Sequence, residues 1–225
     1  MEREEEVKRE GGDRRVCVAM TGSSGAIYGL RLVEELQRRG VRVELILSEP
    51  ALRVLRYEEG IRLREGEWGI EDLFQDPEGI TLHDPREVEA APSSGSAGIE
   101  AVVVCPCSMG TLGRIAHGYS IGLIERAADV ALKEGRTLLL VPRETPLNLI
   151  HLENMLSLAR AGGILLPASP GFYQRPKTLE DLVDFVVGKI LSRLGFDAGE
   201  LAHWDNPDPA TYGEESGTRG SGGAR

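Results

Sequence analysis

The sequence has few cysteines and no cluster typical of a metal site. Three of its 225 residues are cysteines, and a disulfide between Cys105 and Cys107, one proline apart, would be strained. No other Cys or His lies at zinc-site spacing, and the chain has no aspartate-rich magnesium motif. We therefore predict buried or loop thiols in a reducing compartment and no metal site.

Long apolar runs are also missing. No segment reaches the roughly 18 apolar residues of a membrane-spanning helix, and residues 1–15 lack the apolar centre of a signal peptide. The formal net charge of -10 would repel a phosphate backbone at long range. These features predict a cytoplasmic protein that binds neither membrane nor nucleic acid, although a local cationic pocket for a small phosphorylated ligand stays possible.

Apolar strands alternate with amphipathic helices between two polar ends. We predict disordered tails at residues 1–13 and 206–225 and a single domain over residues 14–205. The predicted strands are 15–20, 41–47, 101–105, 137–141 and 163–166, and the predicted helices are 25–39, 50–57, 122–134, 147–161 and 178–194. Residues 58–96 are predicted to be irregular, with short helical turns. This alternation predicts an α/β fold, an open Rossmann-like or flavodoxin-like three-layer sandwich with a mainly parallel sheet.

Ligands of such sheets bind beyond the carboxyl ends of the strands. The first strand ends in Thr21-Gly-Ser-Ser-Gly25 and leads directly into a helix. Glycines permit the tight turn, and helix amides with serine hydroxyls favour an anion. The loop is neither GxGxxG nor a Walker loop, and it suits a mononucleotide phosphate better than a dinucleotide. A tight turn with capping serines accounts for it equally well.

The other predicted strand ends are also polar. Ser48 follows the second strand, a Gly/Ser/Thr loop spans 105–111, Arg143 and Glu144 lie between two prolines, and an aromatic and basic loop spans 167–177. Taken singly, Ser48 fits a helix cap, and Arg143 with Glu144 fits a surface ion pair or a helix cap. Because these loops meet at one sheet edge, we predict a binding site there for a flat, phosphorylated ligand.

At these same loops the sequence resembles the UbiX-type flavin prenyltransferases. The matching stretches are 21–29, 105–112, 123–134, 142–147, 151–155 and 170–176, in that family's order and within residues 15 to 195. The resemblance implies a Rossmann-like flavoprotein that forms a homo-oligomer, typically a dodecamer built from trimers, whose subunit interfaces complete the FMN site. It also implies a metal-independent reaction that joins a dimethylallyl group from dimethylallyl phosphate to N5 and then C6 of reduced FMN. The product, prenylated FMN, is the cofactor of UbiD-type decarboxylases.

The resemblance also assigns site residues. It implies FMN contacts at Gly22, Ser23, Ser24, Ser48, Ser108, Met109, Gly110, Thr111 and Arg143. It implies prenyl-phosphate contacts at Tyr173 and Lys189, with Lys133 and Glu144 lining the site.

Three of these residues suit catalysis. Lys133 and Arg143 could stabilise the charge of the leaving phosphate. Glu144 could donate a proton to it or accept one from the flavin, which would need burial that raises the carboxyl pKa. Without the resemblance, a structural role is favoured for both lysines: Lys133 as a cation that complements a helix end, and Lys189 as a solvated partner of Asp181 or Asp184.

The sequence departs from the family's pattern at two further positions, and two other functions are possible interpretations of it. Gly110 stands where some relatives carry lysine, which makes that loop less cationic. Ala97 stands where relatives usually carry an aromatic residue beside the prenyl pocket, so the resemblance does not predict the pocket shape or the preferred prenyl donor. One rival is an FMN-binding carrier or accessory subunit of a decarboxylase. The other is a flavin-dependent cysteine decarboxylase, which would need an Asn-containing third-strand loop and an early catalytic histidine. The sequence has no histidine between residues 21 and 57.

Overall fold

The described chain contains one six-stranded parallel sheet. The structure, a computed structural model, describes residues 12–61 and 68–202. The strands are β1 (Arg15–Met20), β2 (Arg42–Leu47), β3 (Ile80–His83), β4 (Ala101–Cys107), β5 (Thr137–Pro142) and β6 (Ile164–Leu165). Their order is β3-β2-β1-β4-β5-β6, and every neighbouring pair is parallel. This is the Rossmann strand order, so the predicted α/β fold is confirmed.

Helices cover both faces of the sheet. They are α1 (Ala26–Arg38), α2 (Glu49–Glu58), α3 (Met109–Ala116), α4 (Leu123–Lys133), α5 (Leu149–Arg160) and α6 (Leu179–Arg193). Successive strand residues point to opposite faces. Accordingly, Val16 and Val18 of β1 join the apolar cluster that contains residues of α1 and α6, whereas Cys17 and Ala19 join the cluster that contains residues of α3, α4 and α5. The predicted three layers are therefore present.

Two local predictions are wrong. The segment predicted to be irregular contains β3, which has only four residues, is partly exposed and pairs at the sheet edge with β2. A strand this short and half-exposed carries little periodicity. The amphipathic pattern of residues 178–194 also predicts that Leu179 faces the core, but Leu179 is the first residue of α6, directly after the Thr178 cap, and is 62% exposed.

All three cysteines are buried, as predicted. Burial raises the pKa of the Cys107 thiol to about 12, so this sulfur stays protonated at neutral pH. Within residues 12–61 and 68–202, no helix combines the length and the apolarity that crossing a membrane requires. Apart from residues 12 and 13, the predicted tails lie outside the described residues, and the single domain over 14–205 stays a prediction.

Candidate functional site

Hydrogen bonds join the loop after β1 to the end of β4 and the loop that follows it. These two strands lie side by side where the strand order reverses. From β1 the chain proceeds to β2 on one side, and β4 begins the other half of the sheet. The Thr21 hydroxyl, on a side chain only 2% exposed, donates to the carbonyl of Pro106 at 2.9 Å and accepts the N–H of Ser108 at 2.7 Å. This pair of bonds fixes the two Gly/Ser loops side by side at the position where such sheets bind ligands.

The residues that follow β5 and β2 lie at the same end of the sheet as these two loops. Ser23 Oγ donates to the carbonyl of Arg143 at 2.7 Å, and Arg143 Nε donates to the carbonyl of Ser24 at 3.2 Å. The N–H of Ser48 donates to the carbonyl of Met20 at 3.0 Å. The structure thus brings together the predicted FMN residues of all four loops.

Ser48 and Ser108 are helix N-caps. Ser48 Oγ accepts the N–H of Ala51 at 3.2 Å, and Ser108 Oγ accepts the N–H of Thr111 at 3.4 Å. The capping interpretation of Ser48 therefore holds.

The amino end of α3 suits a phosphate group. Its first turn consists of four uncharged residues, Met109, Gly110, Thr111 and Leu112. Arg114 donates back to Thr111 Oγ1 at 3.0 Å while it pairs with Glu125 at 2.7 Å, so a guanidinium lies beside the helix amides. A Cβ on Gly110 would contact only the end of the Arg114 side chain, at 3.6 Å, so this turn is open. Amides, hydroxyls and a guanidinium together form a donor set that fits the phosphate of FMN.

The amino end of α1, in contrast, already holds a carboxylate. Glu58 accepts the N–H of Gly25 at 2.8 Å and the N–H of Ala26 at 3.0 Å. Burial alone would raise the pKa of Glu58, but hydrogen bonds from Ser24, Ala26 and Gly25 and the charge of Arg143 outweigh it and hold that pKa below its ordinary value. Sequence reasoning missed Glu58, because its partners lie 32 and 33 residues away.

Tyr173 and Lys189 both lie next to the aromatic ring of Phe185. The Tyr173 ring meets Phe185 edge-on with centroids 5.6 Å apart, and Lys189 Nζ lies 5.5 Å from the Phe185 centroid. Sequence reasoning missed Phe185 because an aromatic residue on an amphipathic helix is ordinarily core. The ring positions both predicted prenyl-phosphate residues.

The two acids considered as partners of Lys189 bond elsewhere. Asp184 accepts from Arg31 Nε at 2.7 Å. Asp181 accepts the N–H groups of Lys177 and Thr178 at the start of α6, which lowers its pKa.

Glu144 lies beside a small cavity. The cavity measures about 250 Å³, and its lining includes Arg143, Glu144, Leu147 and Met155. Glu144 itself is exposed, and its Oε1 accepts the N–H of Thr145 at 3.0 Å. The burial that proton transfer by Glu144 would require is thus not provided by the described part of one chain.

Lys133 lies near the amino ends of the strands, opposite the end that carries the other predicted site residues. It ends α4, just before β5, whereas Arg143 follows β5. Six strand residues span about 20 Å. Lys133 lies 3.7 Å from the carboxylate of Glu134 and is half exposed. Within one chain the structure therefore does not bring Lys133 to the other predicted site residues.

Comparison with known sequences identifies the family. A family model described as Flavoprotein matches residues 4–191. The flavin prenyltransferase UbiX of Halalkalibacterium halodurans is 48% identical over 188 residues, which cover 83% of this chain and 91% of that protein.

Solved structures agree with the sequence match. The crystal structure of AnUbiX (PadA1) in complex with FMN and dimethylallyl pyrophosphate has 38% identity and a TM-score of 0.77, covering 86% of this chain and 98% of that one. The dodecameric FMN-dependent UbiX-like decarboxylase from Escherichia coli O157:H7 has 39% identity and a TM-score of 0.75, covering 84% and 98%. The chain belongs to the Flavoprotein family and, within it, to the UbiX flavin prenyltransferases.

Proposed function

We propose that the protein transfers a dimethylallyl group from dimethylallyl phosphate to N5 and then C6 of reduced FMN, which yields prenylated FMN. The observation that carries this proposal is the pair of bonds between the β1 and β5 loops, from Ser23 to Arg143 and from Arg143 to Ser24. They hold the loop of residues 21–25 against Arg143, which is followed by Glu144. The AnUbiX structure, which holds FMN with dimethylallyl pyrophosphate, supports the same pairing of ligands.

FMN fits the loops at the carboxyl edge. The residues proposed to hold it are Gly22, Ser23, Ser24, Ser48, Ser108, Met109, Gly110, Thr111 and Arg143. The amides and hydroxyls at the start of α3 suit its phosphate. Reduced FMN supplies the two ring atoms that receive the prenyl group.

The prenyl phosphate is proposed to lie between Arg143 and the Tyr173–Lys189 pair. The bond that breaks joins the dimethylallyl carbon to a phosphate oxygen, so negative charge grows on the leaving phosphate. Arg143, Lys189 and the Tyr173 hydroxyl would stabilise that charge without a metal. Glu144 would donate a proton to the phosphate or accept the one released at the flavin ring.

A homo-oligomer is part of the proposal, a dodecamer built from trimers. The UbiX-like protein of Escherichia coli O157:H7 is dodecameric. In the proposed oligomer, Lys133 of one copy would reach the site at the carboxyl ends of the strands in another copy. There it would act on the same leaving phosphate.

The location and the product acceptor are inferred from chemistry. Three buried, unpaired cysteines suit the reducing cytoplasm. A UbiD-type decarboxylase would take up the prenylated FMN as its cofactor.

Binding of the prenyl donor separates this function from that of an FMN carrier. A carrier has no use for the Tyr173–Lys189 pair, so FMN-loaded protein would not bind dimethylallyl phosphate. Equilibrium dialysis of FMN-loaded wild type against labelled dimethylallyl phosphate should show saturable binding. Binding that is lacking in wild type, with FMN retained, would favour the carrier.

A further inference from the structure

A buried ion pair joins helices α3 and α4 beside the proposed flavin site. The Glu125 side chain is only 6% exposed, and its Oε1 accepts the N–H of Arg114 Nε at 2.7 Å. Glu125 lies in the first turn of α4, where helix amides favour a negative charge. Within residues 12–61 and 68–202, Arg114 is the one cation that pairs with Glu125. Because a buried carboxylate without a cation is costly, the pair fixes Arg114 in place.

The ion pair directs the Arg114 guanidinium to the start of its own helix. Side chains on a helix point toward its amino end, so Arg114 extends over the preceding turn. Its Nη2 donates to Thr111 Oγ1 at 3.0 Å, which also accepts from Ser108 Oγ at 3.1 Å. Its Nη1 lies 3.6 Å from the position of a Cβ built on Gly110 and donates no hydrogen bond to a described residue. One N–H edge of the guanidinium is therefore available to a ligand at this turn.

Gly110 lets the guanidinium approach the turn. A side chain at position 110 would begin in van der Waals contact with Arg114 Nη1. Some relatives carry lysine at this position, and glycine alone would make the loop less cationic. In this chain Arg114, four residues further along α3, brings a positive charge to the same turn. The structure thus shows how the loop keeps a cation although position 110 has none.

We propose that Arg114 and Glu125 make the site selective for a phosphorylated flavin. Arg114 contacts the phosphate of FMN through its Nη1 edge, and Glu125 is a positioning residue that holds the guanidinium there. Charge-assisted bonds from guanidinium to phosphate are roughly twice as strong as bonds between neutral groups. Riboflavin, which lacks the phosphate, gains nothing from Arg114. The inference rests on the FMN binding of the proposed function, and it adds which residues select FMN over the unphosphorylated flavin.

Flavin titrations test the role of Arg114. Flavin fluorescence measures the dissociation constants of FMN and of riboflavin, and their ratio is the preference for FMN. In Arg114→Met we expect this preference to fall at least about tenfold, because FMN binds more weakly while riboflavin affinity stays unchanged. Arg38→Met is the matched control, at an exposed arginine that pairs with Glu35 in the last turn of α1. It should keep the wild-type preference. An unchanged preference in R114M, or an equal loss of both affinities, would overturn the proposal.

A second variant guards against misfolding. Removing Arg114 alone leaves the Glu125 carboxylate buried without a cation, which destabilises the fold. The double variant Arg114→Met and Glu125→Leu removes both charges and should keep the wild-type circular dichroism spectrum. It should show the same loss of FMN preference as R114M. A folded double variant with the wild-type preference would overturn the proposal.

Two substitutions of Glu125 test its positioning role. Glu125→Gln keeps an oxygen that accepts from Arg114 Nε, so it should keep most of the preference for FMN. Glu125→Ala removes that acceptor and should lower the preference while riboflavin affinity stays unchanged. Equal preference in E125A and wild type would show that Glu125 does not position the guanidinium.

The outcomes also separate this inference from the proposed function. A wild type that transfers the prenyl group, but whose R114M variant keeps the preference for FMN, would overturn only the role of Arg114. A wild type that binds FMN and transfers no prenyl group would contradict the proposed function, whereas a loss of preference in R114M would still support the selectivity. A wild type that binds riboflavin as tightly as FMN would overturn the selectivity itself.

Discussion

The carboxylate of Glu58 accepts the backbone N–H of Gly25 at 2.8 Å and fills the amino end of α1. A negative group is favourable there because helix amides converge at that point. The Thr21–Gly25 loop therefore does not leave its first helix amides to a ligand phosphate. The amino end of α3, which starts with uncharged residues and has Arg114 beside it, is the better phosphate site.

Glu58→Gln should lower the free energy of unfolding at pH 7 by about 0.5–1 kcal/mol, a small value because the group is solvent-screened. The folded-state pKa of Glu58 lies below its ordinary value. Its contribution is therefore present above the unfolded pKa, about 4.3, and disappears as the pH falls through the folded pKa. Urea unfolding of wild type and variant between pH 7 and pH 3 measures this difference.

Glu59→Gln is the matched control for Glu58. Burial and the neighbouring Glu58 raise the pKa of Glu59, so its charged form is disfavoured in the folded protein. The control should be as stable as wild type at pH 7 or slightly more so. A loss of stability equal to that of E58Q would contradict the capping role of Glu58.

Thr21→Val should lower stability by about 1–3 kcal/mol and weaken FMN binding. Valine removes the hydroxyl that joins Pro106 to Ser108 and leaves the Ser108 N–H without its partner. Thr21→Ser keeps the hydroxyl and should restore most of both properties. Denaturation and flavin fluorescence titration measure the two effects. If T21V binds FMN with wild-type affinity, the hydrogen bonds of the Thr21 hydroxyl do not position the flavin.

Glu144→Gln should slow prenyl transfer by roughly 10²-fold while the FMN dissociation constant stays unchanged, because the amide cannot exchange the proton. Single-turnover rates and FMN titration separate the two quantities. Glu71→Gln, at an exposed glutamate of the segment Ile70–Asp72, controls for the loss of one negative charge. Unchanged turnover of E144Q would remove Glu144 from the mechanism.

Lys189→Met should weaken dimethylallyl phosphate binding by about tenfold or more, since one charge-assisted contact to phosphate is lost. FMN affinity should not change. Lys177→Met, at an exposed lysine of the preceding loop, is the control and should bind the donor as wild type does. Equal weakening in both variants would indicate a general charge effect instead of a contact at Lys189.

Periodicity predicted the strands that are buried on both faces, because short continuous apolar runs such as those of β1 and β4 are typical of the inner strands of a parallel sheet. It missed β3, which is short, at the edge and partly exposed. The strand-end rule predicted that Ser23 and Arg143 would lie close together, although 120 residues separate them. Local sequence could not reveal Glu58 or Phe185, since their roles depend on which helices become neighbours. Nor could the order of the motifs reveal that, within one chain, Lys133 lies near the amino ends of the strands and Arg143 near their carboxyl ends.

Prenyl transfer itself can be measured most directly by mass spectrometry. Purified protein would be mixed anaerobically with reduced FMN and dimethylallyl phosphate, without added metal, and the released flavin analysed. We expect the flavin mass to increase by one C5H8 unit. A flavin of unchanged mass, from protein that binds FMN tightly and is also inactive with the diphosphate donor, would contradict it.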